Sequence, residues 1–348
     1  MKALQILAER EIAFRDIDPP APGPDDLLLR VRALSLNHID VWGARGMAFA
    51  KRLFPISVGA EAACEVIESG HGFRAGERVV PYAAYICGAC RFCRRGQENL
   101  CENPLGVRGF HVSGFGQEIV THPARLCVRI PDAVTWSDAA CVAVAYATVE
   151  HMLFDNAALE QGETILIHAG GSGIGSIAIR IAKSLGCTVI ATVGSDEKAE
   201  KARALGADHV INYRTERFEG VVRKLTAKRG VDVVFEHVGA ETWNGSLLCL
   251  RRGGRLVTCG ATSGPSASLN LMQLFQQQYR IIGSFGSPLS ALGRALARIS
   301  SGVRPVIDSE YPLERALEGI ARLESRAVFG KLLLRMPAAG GAPAKEAR

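Results

Sequence analysis

The chain is short of aromatic side chains, which make up 6% of its 348 residues, so its cores must be packed mainly from aliphatic residues. It also lacks any apolar run approaching the ~18 residues of a membrane-spanning helix. The longest such run, residues 139–149, reads as a buried helix. No charged-then-apolar leader precedes the first segment, which reads as a strand from Met1, and the expected location is the cytoplasm. Neither sign of charge dominates. The net charge of +6 is spread along the chain, too diffuse for a nucleic-acid-binding face but compatible with an anionic cofactor. There is no internal repeat.

What is present points to an α/β protein. The length allows two domains of roughly 150 residues each. Glycine and Val/Ile runs are frequent, as in proteins with buried parallel strands. Residues 1–35 and 54–130 read as short strands with glycine- and proline-rich breaks. From about residue 146 the rhythm changes to strand–helix alternation, with strands at 164–169, 188–192, 209–212, 231–236 and 255–259 and helices between them. That alternation predicts a parallel sheet with right-handed crossovers. After residue 285 the chain returns to mixed structure. The expected organisation is a mostly-β domain from 1–145 and 285–336, a dinucleotide-binding domain from 146–284, and an Ala/Gly/Pro-rich tail, 337–348, without packed structure.

The first strand–helix junction carries Gly170-Gly171-Ser172-Gly173-Ile174-Gly175-Ser176. Glycines here let the backbone approach a pyrophosphate, and a helix N-terminus supplies free amides and a positive dipole. Gly170, Ser172, Gly173 and Ile174 are therefore candidate cofactor contacts. The glycines are not in the usual register, and a tight turn without ligand is the other reading; the surrounding strand–helix units favour the first. An NAD site normally places an acid at the end of the second strand. Here that strand ends in Val193-Gly194-Ser195. Gly194 leaves room for a 2′-phosphate, while Ser195 and Lys198 offer a hydroxyl and a cation. A solvated helix position is the alternative for Lys198.

Cys87-x2-Cys90-x2-Cys93-x7-Cys101 is the most specific signal. Four thiolates in 15 residues can close a tetrahedral zinc shell with no position left for water, so the metal is structural. An iron–sulfur cluster is a competing reading, because the first three cysteines have ferredoxin-like spacing. The fourth lacks the following proline, and cysteines for a second cluster are absent. The other six cysteines are scattered among apolar neighbours and read as buried thiols.

A four-cysteine loop ahead of such a nucleotide-binding unit resembles the medium-chain dehydrogenase/reductase superfamily of zinc-type alcohol dehydrogenases and quinone oxidoreductases. Leu36-Asn37-His38-Ile39-Asp40, Gly59-Ala60-Glu61-Ala62-Ala63, Gly76-Glu77-Arg78-Val79, Leu205-Gly206-Ala207-Asp208 and Phe329-Gly330-Lys331 support the resemblance, which covers residues 1 to about 336. It implies a GroES-like catalytic domain, a Rossmann domain, a cleft between them, and a homodimer through the Rossmann sheets. The alcohol dehydrogenases place a catalytic-zinc cysteine where Asn37 stands, His-Glu where Ala60-Glu61 stand, and a further cysteine near Val144. Only Glu61 survives, although Cys141 lies close to the last of these positions. Asn37-x-x-Asp40 with Gly59-x-Glu61 resembles instead the zinc-free quinone oxidoreductases, in which a glycine, a lysine and a tyrosine contact the 2′-phosphate. Gly194, Lys198 and Tyr213 match them, which favours NADPH. His237, Val238, Gly260 and Thr262 follow the fourth and fifth strands, whose carboxyl ends are expected to line the nicotinamide; Phe285 and Lys331 are the remaining candidate cofactor contacts.

Without a metal to stabilise an alkoxide, a conjugated acceptor is the easier substrate, because charge spreads to its carbonyl oxygen. The expected function is NADPH-dependent reduction of a quinone, enone or enoyl thioester, with Asn37, His38, Asp40 and Glu61 around the vacated metal position. Asn37 is the expected oxyanion donor, and Asp40 orients it or His38. The plainer alternative makes Asn37 and Asp40 a loop hydrogen-bond network. Two other functions stand beside this one: a zinc alcohol dehydrogenase with unorthodox ligands, and an NADPH-binding stress protein with negligible turnover.

Overall fold

The computed structural model describes residues 1–46 and 52–337; all but the first residue of the expected tail lies outside them. A six-stranded parallel sheet is formed by β1 (Thr164–Ile167), β2 (Thr188–Val193), β3 (His209–Asn212), β4 (Val231–Glu236), β5 (Leu250–Thr258) and β6 (Arg280–Gly283). Its order is β3-β2-β1-β4-β5-β6, the doubly wound arrangement in which ligands sit outside the carboxyl ends of the strands. The alternation read from the sequence yields the first five strands. The sixth is short, and only half of it is apolar in sequence. The helix Gly173–Ser184 buries Ile177, Ala178, Ile181 and Ala182 against the sheet, the face its periodicity predicts. Each fully buried isoleucine there stabilises the packing by roughly 1.5–3 kcal/mol.

A second, seven-stranded sheet brings distant parts of the chain together. Asp26–Leu36 pairs antiparallel with Glu61–Val66 on one side and with Lys331–Arg335 on the other. Ser35 stands opposite Glu61, and Leu36 opposite Leu332. The ends of three strands separated by up to 296 residues, as Leu36 is from Leu332, thus meet at one corner of the sheet.

The run expected as a buried helix, residues 139–149, is buried but not regular. Tyr146 N–H donates to Cys141 O at 3.0 Å and Ala157 N–H to Met152 O at 2.9 Å. These are i→i+5 turns, wider than an α-helix, and such bulges free amides from the helical ladder.

Candidate functional site

The freed amides have a destination. Val144 N–H and Ala145 N–H donate to Glu61 Oε2 at 2.7 and 3.1 Å. The other oxygen of Glu61 accepts from Asn37 Nδ2 at 2.9 Å and faces Lys331 Nζ at 2.9 Å. Lys331 Nζ also donates to Asn37 Oδ1 at 2.6 Å and to Leu36 O at 2.9 Å. Glu61 is wholly buried and Lys331 is 3% exposed. A buried charge survives only when paired and hydrogen-bonded, and here the ammonium spends all three protons on three acceptors. The stem of Lys331 passes under the nucleotide loop: a Cβ on Gly173 would come within 2.6 Å of Lys331 Cδ.

This geometry redirects three expected roles, those of Asn37, Glu61 and Lys331, and for Asp40 matches the plainer alternative of a loop hydrogen-bond network. Asn37 has no amide hydrogen left to offer an oxyanion, because Nδ2 donates to both Glu61 and Ser35 O. Asp40 faces its own loop. It accepts from Asn37 N–H at 2.8 Å and Gly59 N–H at 3.0 Å, capping the helix His38–Arg45. Burial, the largest influence, pushes its carboxyl up to about 6. Glu61 is saturated by its four partners. Lys331 points its ammonium at Glu61 and Asn37 and not toward the nucleotide loop. His38 is different: among the described residues its ring makes no hydrogen bond. Burial and then the neighbouring Lys331 charge hold its pKa down to about 4, so the imidazole is neutral near pH 7.

At the carboxyl edge of the parallel sheet, Ser172 Oγ caps the helix by accepting from Gly175 N–H at 2.9 Å. The first helical bond is Ser176 N–H to Ser172 O, which leaves the Gly173 and Ile174 amides unspent on the helix. A Cβ on Gly175 would strike Ala169 O. At the tip of β2, the Tyr213 hydroxyl lies 2.6 Å from where a Cβ of Gly194 would stand. Ser195 Oγ accepts from Lys198 N–H at 3.3 Å. Lys198 Nζ donates to Arg326 O at 2.7 Å. Both nearby acids are engaged elsewhere, Asp196 with Asn212 and Glu197 with Lys201.

After β4 and β5, Thr262 Oγ1 donates to His237 O at 3.3 Å, and Ser263 N–H to Val238 O at 2.7 Å. Gly260 lies against the same carbonyl: a Cβ there would be 2.9 Å from His237 O. The His237 ring contacts His168 O at 2.9 Å through Nε2 and is buried, which lowers its pKa. Sequence reasoning missed Glu236, which accepts from Val238 and Gly239 N–H through Oε1 and from Ser246 and Thr242 through Oε2. An acid at the carboxyl end of the apolar run Val233-Val234-Phe235 was the available signal. Phe285, exposed, follows β6.

The ligand atoms of Cys87, Cys90, Cys93 and Cys101 all lie within 4.8 Å of one another. Measured pairs of 4.0 Å (Cys87–Cys93) and 3.6 Å (Cys87–Cys101) approach the about 3.8 Å that four Zn–S bonds of ~2.3 Å dictate in a tetrahedron. Backbone amides donate to the sulfurs of Cys87, Cys90 and Cys101. Such donors stabilise thiolates, and they bring Cys90 down to about 6. The four sulfurs fit a metal ion.

Residues 23–132 match the alcohol dehydrogenase GroES-like domain, and residues 173–301 match the zinc-binding dehydrogenase domain. A quinone oxidoreductase of Pseudomonas aeruginosa is 33% identical over 93% of this chain and 95% of its own. A 2-haloacrylate reductase of a Burkholderia species is 33% identical over 75% of this chain and 72% of its own. A solved structure described as an NAD-dependent alcohol dehydrogenase superposes with a TM-score of 0.91 at 35% identity, over 97% of this chain and all of that one. With both of its domains matched in order and relatives aligned nearly end to end, the chain belongs to the medium-chain dehydrogenase/reductase superfamily.

Proposed function

We propose that this chain is an NADPH-dependent reductase of conjugated acceptors, working without a catalytic metal and carrying one structural zinc on its four cysteines. One observation carries the reading: a buried, fully hydrogen-bonded ammonium, Lys331, is bound to Asn37 and to Glu61, whose other oxygen takes the Val144 amide. These are the positions at which metal-dependent relatives are expected to hold zinc. A fixed positive charge bound to the one remaining carboxylate repels a divalent ion and leaves it no ligand set.

When bound, NADPH supplies a hydride. The chain's own groups fit it. The Gly173 and Ile174 amides suit the pyrophosphate. Gly194, Ser195, Lys198 and Tyr213 frame a 2′-phosphate with no free acid beside it. The stitched loops His237-Val238 and Gly260–Thr262, with Phe285, border the nicotinamide end. The acceptor must disperse its own negative charge, and His38, neutral and uncommitted, is the side chain we assign to contact its carbonyl oxygen. The unpaired edge of β6, beside exposed Leu271, Met272 and Phe275, supports a homodimer through the parallel sheets.

The relatives named as quinone oxidoreductase and haloacrylate reductase support the acceptor class. The neighbour described as an NAD-dependent alcohol dehydrogenase favours a second reading, NAD with an alcohol/aldehyde pair. A screen of NADPH and NADH oxidation over quinones, enones, enoyl-CoA thioesters and aldehydes, with metal content measured on the same sample, decides between them. The expected result is one metal per chain and turnover of conjugated acceptors with NADPH. Two metals per chain with aldehyde turnover would refute it, and NADPH binding without any turnover would favour the stress-protein alternative.

A further inference from the structure

The four-cysteine loop reaches beyond its own closure. Residues 284–289, which follow β6, are tied to the rest of the chain by side chains from outside the segment. The Tyr82 hydroxyl donates to Ser287 O at 2.5 Å, Asn99 Nδ2 donates to Phe285 O at 3.0 Å, and Leu289 N–H donates to Glu98 Oε2 at 3.0 Å. Asn156 Nδ2 adds a bond to Ser284 Oγ at 3.0 Å. Two of these four anchors, Glu98 and Asn99, sit on the single helical turn Glu98–Leu100 between Cys93 and Cys101.

Glu98 has a particular task. The helix Leu289–Ser300 begins after Pro288, which has no side-chain acceptor and makes no cap bond. The Glu98 carboxylate takes the place of a cap from a different part of the chain, and negative charge is favoured at that end of a helix. Apolar packing holds the far end of the segment, where Pro288 is buried and Leu289 packs on the core, while Phe285 and Gly286 are exposed. An open cleft of about 330 Å³ adjoins the joint, lined by Gln97, Leu100, His151, Phe285 and Arg294. The loop itself is polar and largely exposed, with no fully buried residue in its two short helical turns. Its shape, and so the position of both anchors, depends on what its four sulfurs hold.

We propose that Glu98 and Asn99 are positioning residues: through them the metal-holding loop fixes residues 284–289 and thereby sets cofactor affinity. The second half rests on the reading that Phe285 borders the nicotinamide end; the first half does not. The four-cysteine loop is then a part of the cofactor site reached through two hydrogen bonds, and not only a local staple.

The test uses the full-length, metal-loaded chain. Glu98→Ala, Glu98→Gln and Asn99→Ala are compared with wild type by hydrogen exchange of the peptide covering 284–289, by NADPH titration, by KM and kcat with a simple quinone, and by metal content. All four proteins should keep one metal per chain. Exchange in 284–289 should rise about tenfold in Glu98→Ala and Asn99→Ala, as expected for losing one protein hydrogen bond in a locally opening segment. NADPH affinity should fall severalfold with kcat changing less, and Glu98→Gln, which keeps an acceptor oxygen, should be intermediate. Unchanged exchange in 284–289 would overturn the pinning. Raised exchange with unchanged NADPH affinity would overturn the positioning role. A wild-type chain that binds no NADPH would sink the functional reading, while the exchange data would still decide the pinning.

Discussion

Replacing Lys331 by methionine removes the ammonium and keeps most of the stem that packs beneath Gly173. Glu61 would then be left wholly buried, with Asn37 Nδ2 and the Val144 and Ala145 amides as its remaining partners. Asn37 Oδ1 and Leu36 O would lose their donor. Breaking a buried pair by removing one partner costs about 3–5 kcal/mol. A midpoint shift of about 2–4 °C per kcal/mol, the scale for large domains, converts this to a fall of roughly 6–20 °C. Glu61→Gln removes the carboxylate's charge with little change of shape. Combined with Lys331→Met it leaves no unpaired charge, so the double variant should be more stable than Lys331→Met alone. Thermal melts of the four proteins at one pH and salt concentration give the coupling energy directly. A loss below about 1 kcal/mol in Lys331→Met, the scale of an exposed pair, would refute the claim that this ion pair is buried and desolvated. So would a double variant no better than the single one.

Other outcomes follow from the same geometry. Lys198→Ala should raise the KM for NADPH about tenfold, on the scale of one lost charge-assisted contact, and leave that for NADH nearly unchanged; equal effects on both would place Lys198 away from the 2′-phosphate. His38 has its pKa held down to about 4, below the 6.5 of an unfolded histidine, so the native state binds fewer protons than the unfolded one between these values. Its contribution to stability is present above about 6.5 and is lost as the pH falls toward 4; His38→Gln should flatten that part of the melting-temperature profile, and an unchanged profile would count against a buried neutral ring. Cys90→Ser should lower the metal content below one per chain and loosen residues 87–101, with the parallel sheet keeping its exchange protection. Full metal retention would show that four sulfurs are not needed.

Much of this was legible from local pattern. The strand–glycine–helix run at 164–184 encodes its geometry within 20 residues, and four cysteines within 15 can only converge. The Asn37–Asp40 loop network was also open to a local reading, but the roles of the Asn37 side chain, Glu61 and Lys331 were not, because they depend on register between strands far apart in sequence. Lys331 follows the Phe329-Gly330 motif and reads as a cofactor contact. Only the pairing of Lys331–Arg335 beside Asp26–Leu36 turns its ammonium toward Glu61. The same limit hid Glu98 and Asn99, which resemble any other polar residues of an exposed loop until residues 284–289 are seen against them. The amides of Val144 and Ala145 are available only because the helix there widens, and an Ala/Val run gives no warning of that.

The lysine-filled corner also bears on how such chains change chemistry. Placing cysteine at 37 and 144 and histidine at 60 would assemble the ligand types named above around Glu61, yet the grafted protein should take up no metal there for as long as Lys331 is bound to Glu61 and Asn37. Evolution or an engineer would have to evict the resident cation and re-tighten the widened turn in the same passage. A metal-binding redesign of this corner therefore needs several coordinated changes, the replacement of Lys331 first among them.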